Sequence, residues 1–164
     1  MGQRISSNEV SWTPTATADT TNLTDTTYHG LQGGVSTQRM LLREVQMGGV
    51  ATASAPTLMM LARDSTVGGT LSVGRAAVMD AAAVLIANPP VTFNTATTKP
   101  QRSSTLSMLT LGFNAFGGIV RWVGAPGEEI TTLGAAASLG EMSLSAYTGG
   151  TPGLMNTHIL LEVE

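Results

Sequence analysis

Apolar residues in this chain come in short runs broken by glycine and proline, and hardly anywhere at helical spacing. From Val35 onward the pattern predicts strands separated by turns. Arg39 to Met47 (RMLLREVQM) is a strand candidate that stops at Gly48-Gly49. Thr57 to Arg63 (TLMMLAR) is apolar on alternating and intervening positions alike, as a strand buried on both faces would be. Thr70 to Val73 follows Gly68-Gly69 as a short strand. Leu106 to Phe113 and Ile119 to Val123 flank Asn114-Ala115-Phe116-Gly117-Gly118, a spacer of hairpin length with glycines that tolerate positive φ. In Glu141 to Tyr147 the alternation is clean, Met142, Leu144 and Ala146 opposing Ser143, Ser145 and Tyr147. Asn156 to Val163 is the last strand, and Leu144 and Leu160 are the expected core leucines of these two segments, with Ser143 expected to tolerate alanine.

Two segments depart from this pattern. Residues 1–34 are polar and Thr-dense, with only Ile5, Val10, Trp12, Leu23 and Leu31 as sizeable aliphatic or indole groups, and they end at Gly33-Gly34. Composition predicts an extended N-terminal arm that serves contacts between chains rather than the domain's own core. On that reading its deletion leaves a melting transition and removes assembly. Ala76 to Ala87 is alanine-rich, which favours a short helix or irregular insertion, although Val84-Leu85-Ile86 would allow a strand. The resulting expectation is an all-β protein: a jelly-roll-like β-sandwich over 35–164 carrying the arm 1–34. Five Gly-Gly pairs, at 33, 48, 68, 117 and 149, are irregularly spaced and mark turns rather than a repeat.

Charge changes the picture. Only 12% of the 164 residues are charged, and Lys99 is the single lysine, about half the roughly 25% of an ordinary soluble domain. Interface cores are depleted in charge, so burial in an assembly is expected, with Trp12, Leu23, Tyr28, Met59 and Trp122 as the candidate interface residues. A net charge of −3 and scattered arginines argue against a nucleic-acid partner. No cysteine is present, which excludes disulfides, thiolate nucleophiles and Cys-based metal sites. MGQRISSNEV has no apolar signal core, and no apolar run is long enough for a helical membrane span, so assembly in a reducing cytosol and no membrane partner are expected.

Candidate chemistry is sparse. The histidines are His29 and His158, and no G-x-S-x-G elbow presents a nucleophile. Glu128-Glu129 is the adjacent carboxylate pair, but neighbours on a strand face opposite ways. Asp19, Asp25, Asp64 and Asp80 are isolated and lack calcium-loop spacing. Gly68 to Gly74 lacks the lysine of a phosphate loop, and Asn22-Leu23-Thr24 is a chance acceptor match without a signal segment. Aromatics, at 4%, are few for a carbohydrate platform, and Trp122 opposes Arg121 on its strand. No enzyme activity, cofactor, catalytic residue or metal ligand is therefore expected.

Residues 113–130 (FNAFGGIVRWVGAPGEEI), residues 140–160 (GEMSLSAYTGGTPGLMNTHIL) and Ala55 to Ser72 resemble virion proteins of tailed bacteriophages in texture, over about half the chain. The resemblance implies a small β-sandwich subunit that decorates or cements a capsid, resident in the virion after assembly in host cytoplasm. Its implied partners are copies of itself, a trimer being an attractive number, and a major capsid or other virion protein. A tail- or fibre-associated module recognising host glycan is the alternative.

Overall fold

The structure is a computed structural model describing residues 2–14, 28–35, 37–66, 71–73, 75–80, 82, 90–96, 101–133, 140–150 and 152–164. Among them are twelve strands and no helix: β1 (Gln3–Trp12), β2 (His29–Gln32), β3 (Arg39–Gly49), β4 (Pro56–Thr66), β5 (Leu71–Val73), β6 (Arg75–Val78), β7 (Val91–Ala96), β8 (Gln101–Asn114), β9 (Ile119–Val123), β10 (Ile130–Leu133), β11 (Glu141–Gly150) and β12 (Met155–Val163). They form two antiparallel six-stranded sheets. The first runs β10-β3-β12-β1-β6, with β9 also on β3; the second runs β5-β7-β2-β11-β4-β8. The expected all-β sandwich is observed.

Alternation builds the core. From the first sheet, Ile5, Trp12, Met40, Leu42, Val45, Met47, Met155, Ile159, Leu161 and Val163 point inward. From the second, Leu31, Met59, Leu61, Met142, Leu144 and Ala146 meet them. Strand β4 is closed to water on both faces, with Met59, Met60, Leu61 and Ala62 all fully buried, as its unbroken apolar run required.

The N-terminal segment corrects the arm expectation. β1 lies inside the first sheet, between β12 and β6, with Gln3 opposite Val163 and Ile5 opposite both Leu161 and Val78. β2 lies inside the second sheet, between β11 and β7. Composition misled because a polar strand is stabilised by ladder hydrogen bonds and a few inward side chains, and β1 supplies those with Ile5, Ser7 and Trp12. The Thr-rich positions 15–27 lie outside the described residues. So does half of 76–87, but Arg75–Val78 is a strand paired with β1, which corrects the helix or insertion expected at the start of that segment. Alanine's helix propensity gives way to a neighbouring strand edge.

Two further corrections concern register and connection. In β12 the buried positions are Met155, Thr157, Ile159, Leu161 and Val163, which leaves Leu160 half-buried on the opposite face. Leu144→Ala is expected to cost about 2–5 kcal/mol and Leu160→Ala clearly less, checked by urea melts of the two variants. The Asn114–Gly118 spacer is not a hairpin, since β8 pairs with β4 and β9 with β3, so the chain crosses between sheets there.

Ser143 is not an indifferent surface serine either. It is fully buried, and its Oγ donates to Asp64 Oδ1 at 2.8 Å. Ser143→Ala leaves a fully buried carboxyl oxygen short of a donor, which costs about 1–3 kcal/mol. That loss should appear in denaturant melts, and Ser143→Thr, which keeps the hydroxyl, should recover part of it.

Candidate functional site

Two groups of polar side chains gather on the first sheet, one on each face. The inner group centres on His29, which reaches from β2 across the sandwich. One ring nitrogen, Nε2, lies 2.6 Å from Ser7 Oγ on β1, and the other, Nδ1, lies 2.8 Å from Thr157 Oγ1 on β12. Trp12 Nε1 donates to the same Thr157 hydroxyl at 3.1 Å. Trp12 reaches this position after a break in the β1–β12 register next to Ser11, which sits at φ 52° with its N–H donating to Asn156 Oδ1.

A serine 2.6 Å from a histidine has the spacing of a nucleophile and its base, but the surroundings are wrong for that chemistry. His29, Ser7 and Thr157 are buried, and a hydroxyl occupies the position where a carboxylate would orient the ring. Burial, reinforced by the nearby charge of His158, pushes the His29 pKa down from 6.5 to about 3. The ring is neutral at pH 7, with one nitrogen donating and the other accepting, which suits an inter-sheet tie between two hydroxyls.

The outer group lies on the opposite face. His158 Nε2 and Asn8 Nδ2 both contact Ser6 Oγ, at 2.9 and 3.1 Å. Gln46 Nε2 donates to Glu44 Oε1, and Arg121 clamps both Glu44 oxygens at 2.8 Å. The Arg121 hydrogen bonds hold the Glu44 carboxyl below the usual range, and Glu44 in turn raises Arg121. Farther along, Arg43 holds Glu162 at 2.7 Å and also pairs with Glu129, while Glu128 is exposed. The adjacent glutamates thus do not share one site.

Beside this network is a shallow trough of about 290 Å³, lined by Asn8, Val10, Gln46, Gly48, Ile119, Asn156 and His158 among others. Gly48 stands opposite both Ile119 and Asn156 in register, and a Cβ there would meet nothing within 4 Å. The turn leading to Ile119 is tightly built. Asn114 Oδ1 accepts from the N–H groups of Ala55 and Phe116, and Gly118 N–H donates to the Asn114 carbonyl. Gly117 takes φ 71°, and Gly49 packs so closely on the Ala115 backbone that any side chain would collide. The construction leaves Phe116 58% exposed and Ile119 82% exposed.

The sequence-derived interface set fares differently. Trp12, Tyr28 and Met59 are buried within the chain, so they are core rather than contact surface. Trp122 is half-buried against the core, and Leu23 lies outside the described residues. Missed were Phe116, Ile119, Val123, Val10, Val50 and Leu154, which are exposed. A signal for the β9 members existed in the alternation of IVRWV: if Trp122 turns inward, Ile119 and Val123 must turn outward with Arg121. Among the described residues no group of three or more His, Asp or Glu side chains could hold a metal ion.

No family model matches this chain, and no curated protein matches it. Among solved structures it has a likeness to the structure of infectious bursal disease virus Gx strain, at 11% identity and a TM-score of 0.20. The match covers 98% of this chain and 41% of that chain, so this chain spans about two fifths of its length. A likeness at that TM-score carries no argument about either fold or function.

Proposed function

We propose that this chain is a non-catalytic structural subunit of a virion, a phage capsid decoration or cement protein that binds copies of itself and the particle lattice. The observation that carries the reading is the gathering of exposed apolar side chains at one end of the first sheet, in a chain only 12% charged. Apolar patches of this kind mark surfaces that are covered in use. The jelly-roll-like winding belongs to the same reading, and the repeated crossing of the chain between the two sheets favours it. The bacteriophage setting is favoured by the resemblance of residues 113–130 and 140–160. Immunogold electron microscopy of native particles is the test. Label on the outer capsid surface is expected, and virions without label would overturn the reading.

A second reading, a module that recognises host glycan, is favoured by one observation: Asn8, Gln46, Asn156 and His158 bring amide and imidazole groups to the trough. A glycan array probed with the purified chain decides it, since a structural subunit gives no selective binding.

A further inference from the structure

Among the described residues, seven large apolar side chains are exposed, and six of them are Val10, Val50, Phe116, Ile119, Val123 and Leu154. The ladder and turn contacts gather Val10, Val50, Phe116, Ile119 and Leu154 around one end of the first sheet. Ile119 is opposite Gly48, Val50 N–H donates to the Leu154 carbonyl, and Gly49 N–H donates to the Gly118 carbonyl. Val10 and Ile119 both line the trough. Val123 lies on the same outward face of β9 as Ile119 but farther along the strand, opposite Glu44 and beyond Arg121. Met79 is the seventh, and it lies beyond the end of β6.

We infer that this patch is the contact surface of a two-fold dimer, and that its occupant is the same patch of a second copy, with Phe116 of each chain seated in the trough of the other. The inference rests on the assembly reading above and names its surface.

Three observations carry it. The first is area: the five side chains at this end, with Val123 farther along the same face, leave on the order of 500 Å² of apolar surface in water, against the roughly 800 Å² that a stable interface needs from each partner. The polar side chains of Asn8, Gln46, Asn156 and His158 border the apolar ones and extend the contact. The second is charge. The cation beside the patch, Arg121, is already neutralised by Glu44 of its own chain, so two copies meet without opposing unmatched charges. The third is shape. A two-fold contact needs a self-complementary patch, because the same surface serves both partners, and a projection beside a recess meets that need. Phe116 projects from the pinned turn, and the trough opens beside the adjacent Ile119 over the bare Gly48.

The test is light scattering of the purified full chain at tens of micromolar, beside Ile119→Asp, Gly48→Glu and the control Met79→Asp. Gly48→Glu fills the trough from within, at a position where a side chain meets open space. The expected result is twice the 16.9 kDa chain mass for the natural sequence and for Met79→Asp. Both patch variants are expected as monomers, at least tenfold weaker in association, with thermal transitions of unchanged cooperativity. A trimer, or an oligomer that survives Ile119→Asp and Gly48→Glu, overturns the two-fold patch while leaving the assembly reading standing. A natural-sequence monomer overturns the dimer, and immunogold labelling of particles then reports separately on the assembly reading. If either variant loses its thermal transition, Phe116→Ser replaces it, since that side chain is exposed; an unchanged oligomer in that variant overturns the seating of Phe116.

Discussion

Removing residues 1–34 is expected to abolish cooperative folding, not merely assembly. The deletion takes out β1 and β2, each an interior strand of its sheet. It also removes Ile5, Trp12, Tyr28 and Leu31, all buried. Burying a large apolar side chain contributes about 1.5–3 kcal/mol, so these four account for roughly 6–12 kcal/mol, comparable with the 5–15 kcal/mol that holds a domain folded. The inter-sheet tie goes as well, because Ser7 and His29 both lie in the deleted segment. Circular dichroism of the truncated chain should show no sigmoidal thermal transition. A truncated protein that melts cooperatively would mean that β12 and β11 can do without their partners, and the placement of β1 and β2 would be wrong. Trp12→Ala should lower stability by about 3–5 kcal/mol for the same reason, as a core truncation.

Acid should destabilise the fold through His29. Its pKa is about 3 in the folded protein against the ordinary 6.5, so the unfolded chain binds the proton more readily. Stability is therefore fully present above pH 6.5 and is lost as pH falls from 6.5 toward 3. Each unit of pH in that window corresponds to about 1.4 kcal/mol, so roughly 2 kcal/mol should be gone at pH 5. The Glu44 carboxyl, held low by Arg121, adds acid sensitivity of the same sign, but only around and below its ordinary 4.5. Between pH 6.5 and 5 the difference between the natural protein and His29→Gln thus reports on His29. Urea melts at half-unit steps should show the decline in the natural protein and a flattened profile in His29→Gln, whose side chain carries no titrating proton. Constant stability from pH 7 to pH 5 would show that His29 is not buried between the sheets.

Strand existence was legible wherever a period of two or a short apolar run ended at glycine or proline. β3, β4, β9, β11 and β12 stand within a few residues of the segments that alternation and glycine breaks predict. β1 was not legible. Its alternation of Ile5 and Ser7 with Ser6 and Asn8 contrasts a single apolar side chain against hydroxyls and an amide, and the side chain that anchors its far end, Trp12, falls out of phase at Ser11. The face of Leu160 is not legible, because Ile159, Leu160 and Leu161 are all apolar. In such a triplet the phase is set by the partner strand, here through Thr157 and Val163, and not by the triplet itself.

The candidate site divides along the same line. By itself the sequence determined that this is an all-β chain poor in charge, because side-chain period and composition are local properties. Only the tertiary structure decided which apolar residues are core and which are surface. Trp12, Tyr28 and Met59 went inward and Phe116, Ile119 and Val123 outward, because burial depends on which sheet lies opposite and where β8 hands the chain to β9. His29 likewise acquires its depressed pKa from burial in the sandwich interior and from the charge of His158 on β12, far away in the chain. Desolvation is a property of the whole packed arrangement, and no stretch of sequence contains it.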